Sequence, residues 1–362
     1  MKKIRCFLKR NIKLLIALVV GFITPIIVVN GAKPEANMSR FGSNEIQFNN
    51  THANLTLNSQ SVTNVQDAID ALNEKADSAS GCPSGYTKGT NALIGYSCGK
   101  TSTTVDEMVA KASQIAGLES IGDTNYTYAY VGMDPANYIQ FNDELWRIIG
   151  IYNFSSTNYL KIVKATPLGT KKAYHSSTST NAWSGSALQT YLNGPDTGNY
   201  YDTLLSTAQN MIYGGTNMWY AGANAYSAKA AAALTNAKGT IVSQKVGLVA
   251  CYEYLYAAGS GCQNIVGIGY NSGTPSCASK DWLYNTLTTP ATGSRSYGWM
   301  MTPYSSSTSN ALIVDNTNGN VNYNTVTDTN YVSPAVFLKS TITITGGNGT
   351  ADSPYTLACT TC

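Results

Sequence analysis

The sequence predicts an α+β domain, and three observations carry that reading. First, "YTYAYV", "YIQF", "ELWRIIGIYN" and "YLKIVKA" follow one another after Asn125 as runs of aromatic and β-branched residues, broken at Pro135, Asn142-Asp143 and Ser155-Ser156. Second, the middle of the chain turns helical: Trp183, Leu188 and Leu192 of "AWSGSALQTYLNG" share a face, and "YYDTLLSTAQNMIY" follows as another helix. Third, strand-like runs return in "SYGWMMTPYS", "ALIVD", "VNYNTV" and "SPAVFLKSTITI". Strands, then helices, then strands is the order of an α+β domain rather than of repeating βαβ units.

The chain opens with "MKKIRCFLKRNIKLLIALVVGFITPIIVVNGAKPEA". Lys2, Lys3, Arg5, Lys9, Arg10 and Lys13 precede an uncharged apolar run from Leu14 to Val29. Such a head stays on the cytoplasmic side while the run enters the bilayer, so residues 1–32 read as a signal peptide or a retained membrane anchor. The expected location is therefore exported, at the cell surface or secreted. Residues 33–60 are polar and read as a stalk or linker.

Residues 61–124 read as a small helical module. Thr63 and Gln66 form a capping box, and Val65, Ile69, Leu72 and Ala76 repeat at helical spacing. That narrow stripe over residues 63–76 packs on its own domain or forms a homo-oligomer with copies of itself. A second box, Thr104 with Glu107, opens a helix striped by Val105, Met108, Val109 and Ile115 and stopped at Gly117. The α+β domain spans 125–358, where "KVGLVACYEYLYAAG" reads as a strand turning into a short helix; 359–362 is a Cys tail.

Cysteines agree with an oxidising destination. Cys82 and Cys98 bracket a Gly- and Tyr-rich loop and read as one bridge. Cys251, Cys262 and Cys277 compete for a second, with Cys251 and Cys262 the expected pair, and Cys359-Thr360-Thr361-Cys362 reads as a local disulfide or two tail thiols.

Charge narrows the function. Only 12% of the 362 residues are charged, and the formal net charge of +3 comes from the cationic head; the remainder is net negative. No Lys/Arg stripe is left to grip phosphates, so nucleic acid is not an expected partner. His52 and His175 lie apart in polar segments, the adjacent carboxylates Asp106-Glu107 and Asp143-Glu144 are turn or cap residues, and "AWSGS" is not a nucleophile elbow. "DNTNGN" from Asp315 misses calcium-loop spacing, and Gly346-Gly347-Asn348-Gly349 reads as a hairpin turn. No catalytic residue, metal site or cofactor is expected.

The remaining signal is an Asn-, Thr-, Ser- and Tyr-rich stretch from Thr302 to Lys339. Asn318-Gly319 predicts a two-residue type I′ hairpin, with Thr317 opposite Asn320, Asp315 opposite Asn322 and Ile313 opposite Asn324. Leu312, Val314, Val321 and Tyr323 then form an apolar face, and the amide face is exposed. With the neighbouring hydroxyls it supplies a candidate ligand face: Tyr304, Ser305, Ser306, Asp315, Asn320, Asn322, Asn324 and Tyr331.

"ELWRIIGIYN", "NAWSGSALQTYLNG", "VGLVACYEYLYA", "WMMTPY", "NGNV" and "VSPAVFLKSTITITGGNGTADSPYTL", with "TNVQDAIDAL" and "CPSGY" before them, occur in the order of a known family. The chain resembles exported surface proteins of Gram-positive bacteria and their prophages, a family without a settled activity. That family is similar to the C-type-lectin-like and sulfatase-modifying fold, in which small sheets and two helices support long C-terminal loops. The resemblance implies a fold and an exported location rather than a reaction; the Asn/Tyr/Ser face carries the reading of a surface protein binding an extracellular glycan or protein ligand, and the other reading is a glycan-acting envelope enzyme with dispersed carboxylates. Where the family has Val-Arg-Pro, this chain has Val332-Ser333-Pro334, so any role of that arginine is lost or replaced.

Overall fold

A computed structural model describes residues 102–194, 198–214, 218–221, 240–259, 262 and 277–362, with the backbone of short strands at 56–57, 60–61, 87–91 and 96–99. The expected signal segment, the helix at 63–76, His52 and Cys82 lie outside the described residues. The chain divides into two compact units, Met1–Cys82 and Pro83–Cys362. In the first, Thr56–Leu57 pairs antiparallel with Gln60–Ser61. The second is α+β, made mostly of small antiparallel sheets with few helices.

The second unit begins with Thr87–Asn91 paired to Tyr96–Gly99. Next come β1 (Thr103–Thr104) and α1 (Val105–Ala110). The capping box is as expected: the Glu107 amide donates to Thr104 Oγ1 at 3.2 Å and the Thr104 amide to Glu107 Oε2 at 2.8 Å. Val105 and Met108 face the core, Val109 lies at its margin, and Gly117 takes a positive φ of 78° beyond the helix.

The main sheet uses β2 (Leu118–Ser120), β3 (Tyr126–Tyr130), β4 (Tyr138–Phe141), β5 (Glu144–Phe154) and β6 (Thr157–Lys164), joined from the far end of the chain by β7 (Val246–Gly247) and Ala335–Phe337. The four strand runs read after Asn125 are β3 to β6. β5 is its axis: Trp146 through Tyr152 are all buried, because both faces of the sheet are covered. That explains a continuous apolar run where a half-exposed strand would alternate. Gly150 is required within it, since a Cβ there would lie 2.1 Å from Tyr128 O on the neighbouring strand. Asn142-Asp143 and Ser155-Ser156 close two-residue hairpins with all four φ angles between 49° and 63°.

The middle supplies α2 (Ala187–Asn193), α3 (Ser206–Met211), α4 (Cys251–Ala257) and α5 (Trp282–Thr288). Leu188 and Leu192 of α2 are fully buried, worth about 2 kcal/mol each. The single helix expected over "YYDTLLSTAQNMIY" is two pieces, a 3₁₀ turn at Tyr201–Thr203 and then α3. α5 is not evident in the sequence reading: it is one short segment capped by Asp281, whose side chain accepts from the Leu283 amide at 2.8 Å.

Two three-stranded sheets follow, beside the two-stranded pairs Lys172–Ala173 with Thr329–Asn330 and Trp219–Tyr220 with Ile241–Val242. β8 (Gly298–Pro303), β9 (Asn310–Val314) and β10 (Val321–Thr325) form one, with β10 at its edge. β11 is the Ala335–Phe337 strand of the main sheet; β12 (Ile342–Gly346) lies between β1 and β13 (Thr356–Cys359). The Gly346–Gly349 cluster is not a tight hairpin turn: it begins a longer connection from β12 to β13, with Gly347 and Gly349 at positive φ.

Two further expectations are corrected. The second disulfide joins Cys262 to Cys277 rather than Cys251 to Cys262; Cys251 is a buried free thiol inside α4, where burial pushes its pKa up. The tail forms the local Cys359–Cys362 disulfide. The β9–β10 register is also two residues off the sequence expectation, with Val314 opposite Val321 and Ile313 opposite Asn322. The turn has four residues, Asn316 to Gly319: the Asp315 amide donates to Asn320 O and the Gly319 amide to Asp315 O, both at 2.9 Å.

Candidate functional site

The longer turn rearranges the expected ligand face. Tyr254 Oη donates to Gly319 O at 2.6 Å and Tyr284 Oη to Asn316 O at 2.9 Å, pulling the turn against α4 and α5. Asp315 and Asn320 are consequently buried, at 8% and 6% exposure. Asp315 Oδ1 accepts from the amide and hydroxyl of Thr317, at 2.9 and 2.6 Å, and acts within the turn. Tyr331 is buried as well, donating to Ser294 O at 3.1 Å under the Lys171 ammonium.

Asn322 and Asn324 have a different task. β10 is the edge of its sheet, and the Tyr323 and Thr325 amides each bond to the preceding asparagine Oδ1 at 2.9 Å. The other ends of these side chains reach Asp315 Oδ2 at 3.5 Å and Asn330 Oδ1 at 3.4 Å. An unpaired edge amide invites a second strand, and a side-chain acceptor occupies it. These two asparagines therefore seal an edge.

What remains open is aromatic. Tyr323, expected on the core face, is 43% exposed and stacks on half-buried Tyr304, with ring centroids 4.4 Å apart and planes at 11°. Ser305 and Ser306 are exposed beside them. One side chain organises the loop: Asn181 Nδ2 donates to Tyr304 O, Ser307 O and Asn310 O at 2.7, 3.0 and 2.7 Å. Of the eight expected residues, the structure leaves Tyr304, Ser305 and Ser306 near the open tip and withdraws Asp315, Asn320 and Tyr331 into the protein.

A buried ion pair also escaped the sequence reading. Lys161 on β6 and Glu253 on α4 are 2% and 0% exposed, with Nζ 2.7 and 2.8 Å from the two carboxylate oxygens. Tyr152 Oη donates to Glu253 Oε1, and the Ala250 amide to Oε2 at 2.7 Å. Trp219 and Phe337 rings surround the ammonium, and burial lowers the Lys161 pKa although Glu253 opposes the shift. The sequence did carry a signal: each charge interrupts an apolar run, in "YLKIVKA" and "CYEYLYA". Sealed from solvent, the pair ties sheet to helix.

Two clefts of about 420 Å³ open on the second unit. One is lined by Gln189, Asn193, Tyr201, Asp202, Gln244 and Lys245; the other by Val109, Asp123, Thr127, Tyr128, Asn153 and Asn158 among others. Asp202 and Asp123 are the respective lining carboxylates. His175 is half-buried and accepts from the Ser176 amide at 3.1 Å. Among the described residues no group of three His, Cys, Asp or Glu is placed to hold a metal, and no helix is long and apolar enough to cross a membrane.

Ser333, just before β11, is buried and donates to Thr286 O at 3.1 Å, tying this segment to α5. Compared with protein-family models, curated proteins and solved structures, the chain finds no match.

Proposed function

We propose that this is an exported cell-surface protein that binds an extracellular ligand, an adhesin or receptor-binding protein, through the tip formed by Tyr304, Ser305, Ser306 and Tyr323. The observation that carries the reading is exposed Tyr323 on β10 stacked on Tyr304 of the loop held by Asn181. Large rigid aromatic area beside small hydroxyls is what adaptable binding surfaces use, and a pre-ordered loop loses little entropy on binding. The open side chains at the tip are uncharged, which favours a neutral glycan over a charged protein surface. The cationic head with its apolar run and the two disulfides support export. The C-type-lectin-like assignment draws support from the small antiparallel sheets and the loops they present near the C-terminus.

The other reading, a glycan-acting envelope enzyme, needs two carboxylates converging in one cleft; among the described residues, the two clefts above are lined by Asp202 and by Asp123 respectively. A glycan and protein array probed with the protein tests the proposal. Tyr323→Ala combined with Ser305→Ala and Ser306→Ala abolishes capture while the melting transition stays in place. Capture at wild-type strength by that variant sinks the assignment.

A further inference from the structure

The cleft beside α2 has a fixed floor and an unpaired rim. Asn193 Oδ1 accepts from the Lys245 and Val246 amides at 3.0 and 2.8 Å, and its Nδ2 donates to Val246 O at 2.7 Å, so the side chain substitutes for a strand partner. Gln244 Oε1 accepts from Trp183 Nε1 at 2.7 Å and Gln189 Nε2 at 3.1 Å. The floor amides are thus bonded within the protein and hold still.

At the rim, the Lys245 ammonium lies 4.0 Å from the centroid of the Tyr201 ring and has no carboxylate within ion-pair distance among the described residues. Asp202 lines the same cleft, and its Oδ2 accepts only from Asn199 Nδ2, at 2.8 Å. Opposite charges that share a cleft without closing on each other leave space for a ligand group between them.

We propose that this cleft is a second, independent ligand site, and that it takes an acidic sugar of the hexuronate class. Lys245 receives the carboxylate, Asp202 accepts from ring hydroxyls, and the Tyr201 edge packs on the ring. A carboxylate and hydroxyls on one six-membered ring match a cation and an anion held apart, whereas a neutral sugar gives Lys245 no counter-charge. The cleft volume of about 420 Å³ admits one such ring with room for a linkage.

Titration followed by saturation-transfer NMR, with methyl β-glucuronide, methyl β-glucoside and glycine as probes, tests this. The wild type prefers the glucuronide over the glucoside by about fivefold, the scale of one exposed charge pair. Lys245→Met erases the preference with an unchanged melting temperature, Asp202→Asn weakens both sugars, and Tyr323→Ala changes neither. Equal binding of the two sugars, glycine binding better than the glucuronide, no binding of either sugar, or a preference that survives Lys245→Met overturns the proposal. Loss of the glucuronide in Tyr323→Ala alone overturns the independence of the two sites.

Discussion

Lys161 Nζ sits almost evenly between the two carboxylate oxygens of Glu253, at 2.7 and 2.8 Å, with both side chains closed to solvent. Removing one partner strands a buried charge, so Lys161→Met is expected to cost about 3–5 kcal/mol. Lys161→Met with Glu253→Gln removes both charges and recovers part of that loss. Urea unfolding of the two singles and the double closes the cycle; strictly additive losses would show that the pair is uncoupled.

Alkaline pH is expected to unfold the protein through its tyrosines. Burial raises the pKa of Tyr126, Tyr130, Tyr152, Tyr174, Tyr252 and Tyr254 above the ordinary 10.0. A raised folded-state pKa stabilises fully below the unfolded value, and that stability is lost as pH climbs above about 10. Each such group contributes a slope of about 1.4 kcal/mol per pH unit there. Lys161, with a lowered pKa, acts in the opposite direction below its ordinary 10.5, and one lysine is outweighed. Tyrosinate absorbance and circular dichroism should change together in one cooperative step; tyrosinate forming gradually with the fold intact would contradict this.

Ser155-Ser156 spends two non-glycine residues at φ 49° and 63°. Replacing the pair with Asn-Gly, the residues that favour a type I′ turn, is expected to stabilise by roughly 1 kcal/mol. Thermal unfolding measures it, and an unchanged or lowered midpoint would refute the turn argument.

Asn322→Thr with Asn324→Thr keeps strand propensity but frees the Tyr323 and Thr325 amides at the β10 edge. The double variant is expected to self-associate with rising concentration in size-exclusion chromatography, at nearly unchanged monomer stability. A variant that stays monomeric at high concentration would argue that the asparagines are not edge guards.

Maleimide labelling of the native protein is expected to spare Cys251, a buried thiol whose pKa burial raises, and to reach it only after denaturation. Rapid native labelling at Cys251 would place it nearer the surface than described.

β3 to β6 were legible because their residues are aromatic and β-branched, and Pro135 and the Asn142-Asp143 and Ser155-Ser156 pairs mark their ends. The Thr104/Glu107 box was legible because capping is local. The β9–β10 turn was not, since its length is decided by distant groups: a Cβ at Gly319 would lie 2.7 Å from Ala278 Cβ, and Tyr254 and Tyr284 bond its carbonyls. Alternation put Tyr323 on the apolar face of the hairpin, and a partner from the loop after β8 keeps it stacked outside. The Asn-rich composition pointed to display, whereas bonds within the sheet consume most of those amides.

Asn181 reaches carbonyls 123, 126 and 129 residues further along the chain. Contacts of such separation form only after large loops have closed, so the tyrosine-bearing loop acquires its shape late in folding. A growing chain carries Asn181 long before its acceptors exist. The stacked tyrosines are thus presented only by the completed fold, since the loop gains its shape only when both halves of the second unit have met.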